Sequence, residues 1–149
     1  MDYYEQMVAL YLTSDPHLFI SPQYPLKWEV TGIVEPDFVG IDIKNRKVYI
    51  VEVSSADNLS GLINKIKDIY FNHLESIKQG LRNSEIISED WEKQGWGLCF
   101  LVFVRKYNVE KFKKNMGALQ NIDIIPLEAT AFMWEYWEDR RNGNLYKGT

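Results

Sequence analysis

Two carboxylates stand among residues that otherwise have the pattern of buried β-strand, in the stretch EPDFVGIDIKNRKVYIVEVSS at residues 35–55. Asp37 opens one apolar run directly after Pro36, and Glu52 lies near the end of the next run. Burying an unpaired carboxylate costs free energy, because the charge leaves water for a medium that cannot solvate it. We therefore expect both carboxylates to have a partner that offsets this cost.

A polar turn, KNR at residues 44–46, separates the two apolar runs and predicts that they pair as antiparallel strands. This pairing places Asp37 nearly opposite Glu52, where two like charges would repel and one would take up a proton unless a cation lay between them. A hard divalent ion, Mg²⁺ or Mn²⁺, suits such a site because it needs only one or two protein carboxylates. Ser54 projects beside Glu52, since side chains two residues apart share one face of a strand.

The first half of the chain predicts a helix followed by three strands. Residues 2–13 are typical of a short helix, which the stretch SDPH ends because proline cannot continue it. Apolar and polar residues alternate in PLKWEVTG, residues 25–32, as in a half-buried strand. With the two runs that carry the carboxylates, this segment predicts a three-strand antiparallel meander.

The second half predicts helices that alternate with strands. Residues 58–81 carry one apolar stripe at spacings of three and four residues, which indicates a long amphipathic helix that Gly80 helps to end. The run LCFLVFV, residues 98–104, is apolar on both faces and predicts a central strand. A helix at 109–119, a strand at 122–128 and a helix at 130–141 complete the order, so the expected fold class is α/β, a mixed sheet flanked by helices.

The residues "PD" at 36–37, an apolar strand, a turn and "VEVS" at 51–54 together resemble the signature of the PD-(D/E)xK nuclease superfamily, which has the restriction-endonuclease-like fold. That family is built as a helix, a three-strand meander, a helix and a further strand. Length and composition predict a single domain over 1–149, and the resemblance covers an α-β-β-β-α-β core at about 1–105, which leaves a C-terminal α-β-α extension at about 106–141. The tail, 142–149, is expected to be mobile.

The resemblance also implies the roles of the acidic residues. Asp37 and Glu52 would ligate the metal, and Glu5 is the candidate for the acidic residue that the first helix often adds. The family's lysine position is occupied by Ser54, and a hydroxyl cannot supply the positive charge that orients or deprotonates the attacking water. Either a lysine comes from elsewhere or the chemistry is lost.

Some members of the superfamily are similar in recruiting a lysine from the helix after the third strand, and Lys65 is the preferred candidate here over Lys67. The implied activity is metal-dependent hydrolysis of phosphodiester bonds, with DNA favoured over RNA as the substrate. The candidate catalytic positions are Asp37, Glu52, Ser54 and Lys65. Lys67, Lys78 and Arg82 lie near one another on a helical wheel and are the candidate nucleic-acid contacts.

Composition restricts the remaining alternatives. The net charge of −4 argues against a surface that binds nucleic acid throughout, although it does not exclude a local basic face. The single cysteine excludes an internal disulfide, and no apolar run reaches the roughly 18–20 residues of a membrane helix, so we expect a soluble cytoplasmic protein without a membrane partner. A homodimer or a larger complex stays open. The missing lysine and the acidic charge also leave a second hypothesis, a catalytically inactive module of the same fold that binds a protein or nucleic acid, and a coincidence of fold stays open as a third.

Overall fold

The computed structural model describes residues 1–28, 32–117 and 119–131 of the 149-residue chain. In chain order the described elements are α1 Tyr3–Thr13, β1 Leu18–Pro22, β2 Leu26–Lys27, β3 Ile33–Val34, β4 Phe38–Asp42, β5 Lys47–Ser54, α2 Ser60–Lys65, a π-helical segment Ile66–Phe71, α3 Leu74–Asn83, β6 Gly97–Val104, a 3₁₀ turn Lys106–Asn108, α4 Val109–Met116 and β7 Ile122–Pro126. Within these ranges no helix has the length and apolar character needed to cross a membrane. The predicted helix at 130–141 lies outside the described residues after Ala131, and the predicted mobile tail at 142–149 lies wholly outside them.

The described residues form a main sheet of five strands in the order β1-β4-β5-β6-β7. Strands β1, β4 and β5 make an antiparallel meander, and β6 and β7 then continue the sheet in parallel with β5. Residues of α2, α3 and α4 pack in the core on one face, and residues of α1 pack in the core on the other. The prediction of a mixed α/β sheet flanked by helices is therefore confirmed.

The prediction that residues 25–32 form the first strand of the meander was wrong. Residues 18–22 form β1 and pair with β4, whereas Leu26–Lys27 pairs with Ile33–Val34 in a separate two-stranded sheet. Leu26 in this stretch is buried as the alternation predicts, but it packs against α3 and does not belong to a strand of the main sheet. Local periodicity reports that one face is buried, but it does not identify the partner strand.

Gly80 does not end the helix that contains it, because α3 continues to Asn83. Gly80 is buried, and a Cβ atom at this position would lie 3.2 Å from Cβ of Leu26. The glycine is therefore explained by the close approach of β2 to α3 rather than by a helix terminus.

The predicted long helix at 58–81 is not one continuous α-helix. It is divided into α2, the π-helical segment and α3, with an interruption at Asn72 and His73. The apolar stripe is nevertheless buried as expected, and Ile66, Tyr70 and Ile77 are fully shielded from solvent. Strand β6 is likewise central, since Phe100 and Val102 belong to one core and neighbouring residues to the other.

Candidate active site

The antiparallel register of β4 and β5 brings Asp37 to Glu52. Phe38, the first residue of β4, pairs with Val51, so Asp37 continues the same register toward Glu52. The backbone N–H of Val53 donates a hydrogen bond of 2.7 Å to Oδ2 of Asp37, which fixes that carboxylate against β5. The tight turn between the strands therefore positions both acids at one edge of the sheet.

Alternation along β5 directs Glu52 toward the helices that follow it. Ile50 belongs to the core beneath α2 and α3, whereas Val51 belongs to the core beneath α1. Glu52 shares the face of Ile50, because residues two apart on a strand project to the same side. Only 5% of Glu52 is exposed, so its charge requires partners within the protein.

Two donors hold the same oxygen of Glu52. Nζ of Lys65, the last residue of α2, lies 2.9 Å from Oε1, and the hydroxyl of Tyr70 in the π-helical segment donates to that same atom. The Tyr70 side chain is fully buried and its ring packs on Phe100 at a centroid distance of 5.2 Å. Lys65 and Tyr70 together satisfy the buried charge of Glu52, as a buried carboxylate requires.

The pKa of Asp37 responds to its burial and to the neighbouring carboxyl groups of Glu52 and Glu5. Burial raises the pKa of Asp37, and the negative charge of Glu52 raises the pKa further, against the opposing effect of the Val53 N–H. The pKa of Glu5 is also raised, first by burial and then through contact with the Asp37 carboxyl, while the backbone N–H of Asp2 opposes the change. The carboxyl of Asp37 thus lies between those of Glu5 and Glu52, and the charge of Glu52 disfavours its ionisation.

Glu5 reaches this group from α1, but one of its oxygens is already engaged. Asp2 and Glu5 form a capping box, in which the Asp2 N–H donates to Oε2 of Glu5 at 2.9 Å and the Glu5 N–H donates to Asp2 at 2.8 Å. The box fixes where α1 begins and therefore holds Glu5 beside Asp37.

Ser54 does not join the contacts of Glu52 among the described residues. Its hydroxyl accepts a hydrogen bond of 3.3 Å from the N–H of Ala56, in the loop that leaves β5. At the end of β5, the serine hydroxyl thus stabilises the start of the loop. A catalytic role of Ser54 stays a prediction.

The three predicted nucleic-acid contacts have different environments. Lys67 is exposed on the π-helical segment. Lys78 and Arg82 both bind Glu92, at 3.1 and 2.8 Å, so a phosphate would have to compete with that carboxylate for them. Their role in binding nucleic acid also stays a prediction.

The residues present fit a small divalent cation with few protein ligands. Across the described residues, no three His, Cys, Asp or Glu side chains form a group that could hold a metal ion. Mg²⁺ and Mn²⁺ do not need such a group, because one or two carboxylates and several waters suffice. The negative charge of Glu52 raises the pKa of the neighbouring Asp37, and a cation between the two carboxyl groups would offset this repulsion.

Tyr70 is the site residue that sequence reasoning missed. It was counted in the apolar stripe of the long helix, and it is indeed buried there. A tyrosine in such a stripe has a hydroxyl that needs a partner, and that requirement was the available signal. The partner itself, Glu52, depends on how the helix packs on β5.

No family model matches this chain, and no curated protein matches it either.

Proposed function

We propose that this protein is a metal-dependent nuclease that hydrolyses phosphodiester bonds of DNA. The observation that carries the proposal is the convergence of Asp37, Glu52 and Lys65 at one sheet edge, two acids beside one amine. Two carboxylates can hold a divalent metal ion, and an adjacent amine can orient the attacking water or a phosphate oxygen.

The order of the elements supports the same proposal. A helix, an antiparallel three-strand meander, a helical segment and a parallel strand follow one another through β6, as in the restriction-endonuclease-like fold that the PD-(D/E)xK superfamily shares. Asp37 precedes the second strand of the meander and Glu52 lies in the third, which are the positions that the superfamily signature would give them. The separate two-stranded sheet of β2 and β3 is inserted between the first and second strands of the meander, and α4 and β7 extend this core.

The proposed mechanism assigns a task to each side chain. Asp37 and Glu52 would hold a Mg²⁺ or Mn²⁺ ion, which when bound lowers the pKa of a coordinated water and stabilises negative charge on the phosphate. Lys65 would replace the lysine that Ser54 does not supply: its amine, one-third exposed and 2.9 Å from Glu52, would orient the attacking water or a phosphate oxygen from that position. Glu5, which contacts the Asp37 carboxyl, would contribute a carboxylate at the edge of the same site.

A second candidate function is a catalytically inactive module of this fold that binds a protein or nucleic acid. The observation that favours it is the ion pair between Lys65 and Glu52, which already neutralises the buried carboxylate within the protein. An ion pair of this kind can be purely structural.

Cleavage of labelled single-stranded and double-stranded DNA, with Mg²⁺ or Mn²⁺, distinguishes the two candidates. We expect metal-dependent cleavage by the wild type and a loss of at least about a hundredfold in Glu52→Gln, which keeps the size of the side chain but removes its charge. Glu110→Gln is the matched control, because it makes the same chemical change at an exposed position of α4. Parallel assays on RNA test the preference for DNA.

Cleavage that persists in Glu52→Gln would show that the activity comes from another site or from a contaminant. Absence of cleavage by the folded wild type, with either metal and on either form of DNA, would refute the nuclease and favour the binding module.

A further inference from the structure

The carboxylate of Glu52 is held asymmetrically. Both donors that the described residues bring to it, the amine of Lys65 and the hydroxyl of Tyr70, contact Oε1. The donors described for Glu52 both contact Oε1 and none contacts Oε2, while the Asp37 carboxyl lies beside the same carboxylate. One oxygen is therefore fixed by two donors, and the other is left for a cation between Glu52 and Asp37.

The π-helical segment explains how two residues five positions apart reach one atom. On an α-helix, residues 65 and 70 would be rotated by about 140° from each other and would face different surroundings. The π-helical segment at 66–71 has hydrogen bonds between residues five apart, which stack such residues on one face. Lys65 directly precedes this segment and Tyr70 lies within it. The change of helical geometry thus aligns both donors with Glu52.

We infer that Tyr70 is a positioning residue of the metal site: with Lys65 it fixes Oε1 of Glu52, so that Oε2 is the atom presented to the divalent cation. This inference rests on the proposed function, because it assigns a task within the same site. Tyr70 is fully buried and therefore cannot contact the nucleic acid itself. Its effect on the reaction must pass through the orientation of Glu52, as hydrogen bonds to ligating carboxylates commonly do.

Titration of the protein with MnCl₂ alone tests the inference without relying on activity. Tyr70→Phe removes only the hydroxyl and keeps the ring that packs on Phe100, and near-ultraviolet circular dichroism verifies that packing. We expect the affinity for Mn²⁺ to fall by about tenfold to a hundredfold, the range found when a hydrogen bond to a metal ligand is removed. Tyr107→Phe is the matched control, since it also removes a tyrosine hydroxyl that donates to a carboxylate, that of Asp57, but on an exposed side chain.

Steady-state kinetics supply a second readout. At limiting Mn²⁺, Tyr70→Phe should lower kcat and leave the KM for DNA unchanged, because the buried hydroxyl cannot touch the substrate. A double-mutant cycle with Lys65→Gln should be non-additive by more than about twofold in Mn²⁺ affinity, since both donors act on one oxygen. Lys65→Gln measured alone in the same titration keeps the test informative if Tyr70→Phe is weakly folded.

The positioning role alone would be refuted if Tyr70→Phe bound Mn²⁺ as tightly as the wild type does. It would also be refuted if Tyr107→Phe lost as much Mn²⁺ affinity as Tyr70→Phe. Absence of Mn²⁺ binding by the wild type would refute both this inference and the metal-dependent nuclease from which it starts.

Discussion

Replacing Lys65 by methionine should destabilise the protein, because it leaves a buried carboxylate without its cation. Methionine keeps the length and apolar stem of lysine, so the change removes little packing. The Glu52 side chain is 6% exposed, and the Tyr70 hydroxyl would be its remaining donor among the contacts described at Oε1. The affected quantity is the free energy of unfolding in the absence of divalent metal.

The magnitude follows from the exposure of the two partners. Removing one member of a buried ion pair costs about 3–5 kcal/mol, but Lys65 is 34% exposed and water screens its side of the pair, so we expect about 2–3 kcal/mol. For a chain of this size that free energy corresponds to a decrease in Tm of about 4–12 °C. Glu52→Gln should cost less, about 1 kcal/mol, because the freed amine of Lys65 can reach water.

Thermal and urea denaturation of the wild type, Lys65→Met, Glu52→Gln and the double variant give the comparison. The double variant should be nearly as stable as Glu52→Gln, since no unpaired buried charge is left. A Tm for Lys65→Met within about 1 °C of the wild type, or a larger loss in Glu52→Gln, would contradict this account.

Two further predictions concern pH. Burial acts to raise the pKa of Asp42, but hydrogen bonds from Asn45 and Lys44 outweigh it and hold the pKa below its usual range. The ionised Asp42 carboxylate therefore stabilises the fold above the unfolded pKa of about 3.9, and this stabilisation is lost as pH falls through the folded pKa. Asp42→Asn should therefore destabilise the protein by about 1–2 kcal/mol at pH 7 and by less as the pH falls below about 4, measured by urea denaturation; a pH-independent difference would contradict this. Burial and the charge of Glu52 raise the pKa of Asp37. The contribution of Asp37 to the stability of the fold is therefore most favourable below its unfolded pKa and declines as pH rises through its folded pKa. Asp37→Asn should thus gain stability relative to the metal-free wild type between about pH 4 and pH 7, and a relative loss over that range would refute the proposed repulsion.

The approach of Asp37 to Glu52 could be predicted from the sequence because it depends on local features. A tight polar turn fixes which residues of two adjacent strands lie opposite each other, and the two-residue period fixes which side chains share a face. Both rules apply within about 20 residues of chain, and the register of β4 and β5 agrees with them. The preference for Lys65 over Lys67 rests on the family resemblance and on the polar flank that Lys65 shares with Asn58 and Asn72, and the amine of Lys65 lies 2.9 Å from Glu52.

The residues that sequence reasoning misplaced depend on contacts between distant segments. Leu26 alternates like a sheet residue but packs on α3, and β1 was missed although it lies in the meander. Lys78 and Arg82 lie close together as the helical wheel indicates, yet both are bound by Glu92 from a later loop. A periodic pattern reports burial and spacing, but it does not identify the partner.

The sequence by itself therefore determined the mixed α/β composition, the burial of the apolar stripe and the pairing of two acids across one turn, since each follows from the geometry of neighbouring residues. Only the tertiary structure decided that the helix changes to π geometry at residue 66 and that the Tyr70 hydroxyl meets the oxygen bound by Lys65. The physical reason is that a buried hydroxyl takes whichever acceptor the packing brings within reach, and that acceptor is 18 residues away along the chain.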